Sequence, residues 1–232
     1  MEYSKLVEIY ETLSGTSKLL EKRAIIAGFL KGLNSEEVES AVLLLEGRLF
    51  PEWDRRKIGI GTQTVIKSIS TSSGKSEDLI KADWAKIGDL GLVAERNISS
   101  KTQSTLFSGK LTIDQVFTKL RKLSEIEGSG STGKKIGLIA ELLIASNGVS
   151  AKYIVRTCLE DLRTGAGFGV LRDSIASAFD VEVANVQTAY DLTTDISSVA
   201  KLAKTKSNEG LLALELSVGN PVKVMLFKKS ES

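Results

Sequence analysis

Histidine is absent from this chain of 232 residues, which removes every reaction and metal site that depends on an imidazole. The single cysteine, Cys158, excludes an internal disulfide and a cysteine-based zinc cage, and it fits a reducing, intracellular setting. Proline occurs twice, at Pro51 and Pro221, so long stretches are free to be helical without a break. No run is long and apolar enough to span a bilayer, and Met1-Glu2-Tyr3-Ser4-Lys5 lacks the charged-then-apolar layout of a signal peptide. A cytoplasmic protein without membrane contact is expected. An excess of charge is missing too: 31 cations stand against 29 anions, a net +2. Affinity for nucleic acid would therefore have to come from where the cations sit.

What is present is apolar periodicity. Leu6, Ile9, Tyr10 and Leu13, then Ile25, Ile26, Phe29 and Leu30, then Val38, Val42, Leu43 and Leu45 recur at helical spacing, whereas strand-like alternation is rare. Ser35, Ser76 and Thr112, each followed by acidic or amide residues, read as helix N-caps. Gly/Ser/Asn turns such as Gly32-Leu33-Asn34-Ser35 and Asn147-Gly148-Val149-Ser150 separate the periodic runs. The pattern predicts an all-α fold of ten to twelve helices, and 42% apolar residues suffice for a real core.

The chain also matches itself without a gap at an offset of 106 positions. Arg56-Lys57-Ile58-Gly59-Ile60-Gly61 with Val65, Ser68-Ile69, Trp84, Asp89 and Ala94 recurs as Leu162-Arg163-Thr164-Gly165-Ala166-Gly167 with Leu171, Ser174-Ile175, Tyr190, Asp195 and Ala200. At a slightly larger offset, Lys22-Arg23 and Ala27 to Leu30 resemble Lys134-Lys135 and Ala140 to Leu143. A single pseudo-twofold domain over 1–226 is expected, with halves at about 14–95 and 128–201 and a tail at 227–232. In both copies a cation and a Gly-x-Gly turn stand directly before an apolar-periodic helix. Free N–H groups at a helix start, the positive end of the helix dipole and a neighbouring cation together favour a phosphate. Packing alone would also use both turns, letting helices approach closely, but it has no use for Lys67 and Arg172 one or two turns further on.

Other motifs are weaker. Gly128-Ser129-Gly130-Ser131-Thr132-Gly133-Lys134-Lys135 comes within one residue of a nucleotide-binding P-loop, but Lys135 stands where a Mg²⁺-binding hydroxyl is required and a helix, not a strand, precedes it. A Gly/Ser loop giving backbone N–H groups, hydroxyls and two lysines to a phosphodiester suits these residues better, with an exposed linker as the plain alternative. Gly165-Ala166-Gly167-Phe168-Gly169 misplaces the third glycine of a dinucleotide fingerprint. Thr16-Ser17-Lys18 is the first-half counterpart of Ser131 to Lys134, and taken alone reads as an N-cap. Gln103-Ser104-Thr105-Leu106-Phe107 sets two large apolar side chains in a polar stretch, either folded back into the core or serving as an anchor for another protein's pocket.

Taken together, the chain resembles the N-terminal DNA-binding domain of archaeal ATP-dependent DNA ligases over nearly its whole length. The resemblance rests on Tyr3 to Tyr10 with Thr16 to Lys22, on Pro51-Glu52-Trp53 through Gly61, on Gly128 to Lys135, on Leu162 to Gly167 through Ile175-Ala176, and on Gly219 to Leu226. It implies an all-helical, pseudo-twofold domain lying on the minor-groove side of nicked duplex DNA and holding the backbone on both sides of the break. The matching positions are Thr16, Lys18, Arg56, Gly59, Gly61, Thr62, Ser129, Ser131, Thr132, Lys134, Lys135, Arg163, Gly165, Gly167 and Arg172. The resemblance further implies a short box for a sliding clamp (PCNA) at Gln103, Leu106 and Phe107, and ATP and Mg²⁺ for a full-length ligase.

No Lys-x-Asp-Gly, the adenylation motif of such ligases, occurs in this chain. No catalytic or metal-ligating residue is therefore expected here, and the chain is expected not to ligate without its catalytic domains. Two rival readings remain. A helical scaffold working through Leu106-Phe107 would dock on the clamp, and a small nucleotide-binding enzyme would bind ATP and Mg²⁺ at Gly128 to Lys135.

Overall fold

Apolar spacing of three and four is carried into the structure, a computed structural model, as twelve α-helices and no strand among the described residues, which are 1–99, 110–215 and Pro221. In chain order they are α1 (Tyr3–Ser14), α2 (Leu19–Lys31), α3 (Glu37–Glu46), α4 (Thr62–Ser73), α5 (Glu77–Ile87), α6 (Leu90–Ser99) and α7 (Ile113–Lys122), then α8 (Ser131–Ala145), α9 (Gly148–Cys158), α10 (Phe168–Phe179), α11 (Val183–Thr193) and α12 (Ile196–Leu212). A 3₁₀ turn, Leu123–Glu125, follows α7, and α12 is kinked at Ser207. None of these helices is long and apolar enough to cross a membrane.

The internal repeat is exact at the level of elements. Helices α4, α5 and α6 begin 106 positions before α10, α11 and α12, and the first two pairs also end 106 apart. The left-handed residues that close them correspond as well, Gly74 with Asp180 and Gly88 with Thr194. So do the carboxylates that open the third helix of each set. Asp89 accepts the N–H groups of Gly91 and Leu92, and Asp195 those of Ser197 and Ser198.

The halves are not two stacked bodies. Helices α2 and α3, from the first half, lie against α10 and α12 of the second; α8 and α9, from the second, lie against α4 and α6 of the first. Each half thus covers the apolar face of the other. One continuous core results, with Ile26, Leu30, Leu44, Ile66, Ile69, Leu142, Leu143, Ile175 and Val199 all fully buried. Tyr3, Tyr10 and Tyr153 fill it under α1, and Tyr10 donates to the Leu44 carbonyl at 2.9 Å.

Local expectations met two corrections. Ser76 and Thr112 do cap α5 and α7, the latter in a full capping box with Gln115. The cap before α3, however, is Asn34, whose Oδ1 accepts from the Glu37 N–H at 2.9 Å, because the chain enters the helix already turned at Glu36. The Gly/Ser segment is also not a loop throughout. Gly128 and Gly130 take left-handed conformations that turn the chain, and Ser131 to Lys135 form the opening turns of α8. Two glycines were enough to make the turn, so the remaining residues, with Ile136 to Leu143 behind them, continue as helix.

Candidate nucleic-acid interface

The first glycine of each Gly-x-Gly turn adopts a left-handed backbone, φ +62° at Gly59 and +63° at Gly165, a conformation costly for any residue with a Cβ. The second, Gly61 or Gly167, is extended and becomes the N-cap of α4 or α10. All four glycines are exposed, while Ile58 and Thr164 just before them are buried. The helix tips therefore face outward on anchored stems.

No side chain caps α4, α10, α2 or α8, as none caps α1 or α11. By contrast α5, α6, α7, α9 and α12 are each capped by Ser76, Asp89, Thr112, Asn147 and Asp195. The first N–H groups of a helix have no intrahelical acceptor, so an uncapped and exposed start presents donors to an incoming anion.

The two tips are neighbours. The segment leading into α10 rests beside the start of α4: Asp161 and Arg163 share a cavity of about 160 Å³ with Thr62, Trp84 and Asp89. The segment leading into α4 reaches the start of α10 in return, because Glu52 accepts from the Tyr190 hydroxyl and the Tyr190 ring packs on Phe168, the first residue of α10, at 4.3 Å. Trp84 and Tyr190 are repeat counterparts, and each lies beside the start of the helix that opens its half's set, Trp84 lining the cavity with Thr62 and Tyr190 packing on Phe168. Helix α2 starts beside the α10 tip and α8 beside the α4 tip, since Lys22 donates to the Thr164 carbonyl and Lys135 to the Ile58 carbonyl, each at 2.6 Å.

Several expected site residues have protein partners. Arg56 forms a fork with Asp54, Nη2 to Oδ2 at 2.6 Å, and its guanidinium lies over Phe50 at 4.5 Å. Arg163 pairs with Asp161 at 2.6 Å and with Asp89 at 3.1 Å. The hydrogen bonds from Arg56 hold Asp54 below the usual carboxylate range, and those to Asp54 and Asp161 raise the two guanidinium values in turn. Both arginines thus stay cationic and half aimed by a carboxylate. Arg172 is turned sideways to Asp173 and Gln187, and Asp173 also takes Arg23. Thr16 donates to Glu21 and accepts the Lys18 N–H at 3.2 Å, so it shapes the entry to α2. Lys18, Ser129, Thr132 and Lys134 are exposed, whereas Thr62 and Ser131 are half-buried.

Sequence reasoning passed over three contributors. Asp89 ties the Arg163 segment to the cap of α6, Arg55 stands exposed beside Arg56, and Lys22 underlies the second tip. The Asp-x-Arg pairs, Asp54 with Arg56 and Asp161 with Arg163, were visible as a spacing, but lie one residue out of register with the glycine match. Gln103, Leu106 and Phe107 lie outside the described residues, as do Gly219, Asn220 and 222–232.

Residues 2–176 match the model of the family described as DNA ligase N terminus. The chain belongs to that family. As a member of it, the chain is 43% identical over 226 residues to a DNA ligase of Methanobrevibacter smithii, covering 97% of this chain and 41% of the relative. It is 39% identical over 230 residues to a DNA ligase of Methanothermobacter thermautotrophicus, covering 99% and 41%, and 38% identical over 232 residues to one of Thermococcus fumicolans, covering 100% and 42%. The chain thus spans about two-fifths of the length of these relatives. In the Gly128 to Lys135 segment Ser131 to Lys135 are helical, and Lys135, which stands where a P-loop carries its Mg²⁺-binding hydroxyl, donates to the Ile58 carbonyl.

Proposed function

We propose that this chain is the DNA-binding part of an ATP-dependent DNA ligase acting in replication and repair, and that it holds nicked duplex DNA through backbone phosphates without reading bases. The observation that carries the reading is the pair of exposed, uncapped Gly-x-Gly helix starts brought side by side by the pseudo-twofold. One phosphate row on each side of a break meets one tip, with Arg56, Lys57 and Arg163 supplying charge. Phosphate contacts fix position and carry no sequence information, which suits an enzyme that must close any break. The adenylation chemistry, with ATP and Mg²⁺, belongs to catalytic domains beyond this stretch. Docking on a sliding clamp through Gln103, Leu106 and Phe107 is part of the same proposal and rests on the sequence alone; capture by the clamp, lost in Phe107→Ala, tests it.

Nicked duplexes of unrelated sequence are expected to bind equally, and neutralising six to ten phosphates makes affinity fall by about 10³ to 10⁵ between 50 and 200 mM salt. The Arg56→Ala, Arg163→Ala double variant is expected to weaken every sequence alike. Fluorescence anisotropy measures both. A shallow salt slope, or a loss confined to particular sequences, overturns the reading.

A further inference from the structure

Among the described residues two lysines are nine-tenths buried, and only one of them has a counter-ion there. Lys152 lies between Glu11 and Glu95, at 2.7 and 3.3 Å. Lys22, 6% exposed, meets only the Thr164 carbonyl, and no carboxylate among the described residues pairs with it. An ammonium carries three donors and a full charge. With one neutral acceptor, the ammonium has no carboxylate among the described residues beside it, and burial of the side chain strengthens the attraction of an anion that comes within reach.

The position of that ammonium is specific. A Cβ built on Gly165 would fall 2.6 Å from Lys22 Nζ, so the charge sits directly against the left-handed glycine of the α10 tip. The same device occurs in the other half, where a Cβ on Gly59 would fall 3.1 Å from Lys135 Nζ. In each case the lysine comes from the first turns of a helix belonging to the opposite half, α2 at one tip and α8 at the other. The lysine also occupies the carbonyl just before the glycine, removing the group at the tip that would repel an anion.

We propose that each Gly-x-Gly tip is a composite phosphate site shared between the halves, completed by Lys22 at Gly165 to Gly167 and by Lys135 at Gly59 to Gly61, with a DNA phosphate as the missing counter-ion of Lys22. The proposal rests on the DNA-binding reading above and adds Lys22, which the sequence matched to the Lys134-Lys135 pair but did not place at a binding position. It also explains why exchanging helices between halves serves binding: neither half owns a complete site.

The test uses the full chain and Lys22→Gln, which keeps a donor for the Thr164 carbonyl but removes the charge. The dependence of nicked-duplex affinity on salt is measured for wild type, for Lys22→Gln, for Lys135→Gln and for the double variant. Each single variant is expected to lower the log–log slope by about 0.9, one phosphate's share, and the double variant by about 1.8. Lys22→Gln is also expected to unfold thermally no lower than wild type in buffer without multivalent anions, and sulfate is expected to raise the midpoint of wild type more than that of Lys22→Gln. An unchanged slope in Lys22→Gln beside a steep wild-type slope overturns the proposal and makes Lys22 a brace of the turn. A wild type with no salt slope overturns the DNA reading instead, and the sulfate comparison then still decides whether Lys22 faces an anion.

Discussion

The two glycines of each tip serve different ends. Gly59 and Gly165 are left-handed, and a Cβ there adds about 1 to 2 kcal/mol of backbone strain. At Gly165 it also meets Lys22 Nζ at 2.6 Å, closer than the 3.1 Å to Lys135 at Gly59. Gly165→Ala is therefore expected to destabilise by about 2 kcal/mol or more and Gly59→Ala by somewhat less, with urea unfolding as the measure. Gly61 and Gly167 have ordinary φ, and a Cβ on either meets nothing within 4 Å. Alanine there is expected to change stability by under about 1 kcal/mol, because only a preferred N-cap residue is lost, yet to weaken DNA binding by crowding the approach of the backbone. If Gly61→Ala and Gly167→Ala bind nicked DNA as wild type does, these tips do not touch phosphate. The Gly-x-Gly pattern was legible because it repeats in sequence. The division of labour within it was not, since it depends on lysines 143 and 76 positions away in the chain.

Helices α6 and α12 are repeat counterparts with one difference at their N-caps. Asp195 is a cap and little more, so Asp195→Ala is expected to cost about 1 kcal/mol. Asp89, 7% exposed, accepts from Gly91 and Leu92 at 2.7 and 3.1 Å and also from Arg156 and Arg163. Removing it strands the half-buried Arg156 guanidinium as well as the cap, and Asp89→Ala is expected to cost about 2 to 3 kcal/mol. Equal losses on urea unfolding would reduce Asp89 to a cap. Burial works to raise the Asp89 carboxyl, but the hydrogen bond and charge of Arg156, with the two backbone N–H groups, outweigh it and hold the group below its ordinary value. A carboxyl so lowered contributes stability in full above its unfolded value near about 4 and loses it as pH falls through the lower folded value. Asp89→Asn is therefore expected to flatten the acid limb of the stability curve below about pH 4 and leave neutral pH unaffected by titration. At this scale the caps at Ser76 and Thr112 were readable, since they bond to residues three positions on. Arg156 and Arg163, reaching Asp89 across 67 and 74 positions, left no local trace.

For the molecule as a whole the decisive fact is the exchange of helices between halves. Periodicity announced that α8 has a buried face, and the repeat announced two related units, but nothing local says that α8 covers α4 rather than the α10 that follows it. The exchange has a measurable consequence. Ile139, Leu142 and Leu143 on α8 are fully buried in a core to which α4 is the main neighbour. Exposing the three would cost about 5 to 9 kcal/mol at about 1.5 to 3 each, which alone approaches the whole stability of a domain. A half without its partner would have to bear that loss together with the corresponding loss at α9, or at α2 and α3. Residues 1–99 alone and 110–232 alone are therefore expected to lack a cooperative unfolding transition, while an equimolar mixture regains helical circular dichroism, one transition and nicked-duplex binding. Binding must return with the fold, because Lys22 belongs to one fragment and Gly165 to the other. A fragment 1–99 that unfolds cooperatively by itself, or that binds nicked duplex with the full salt slope, would mean that the halves are independent and that the shared tips are an accident of packing.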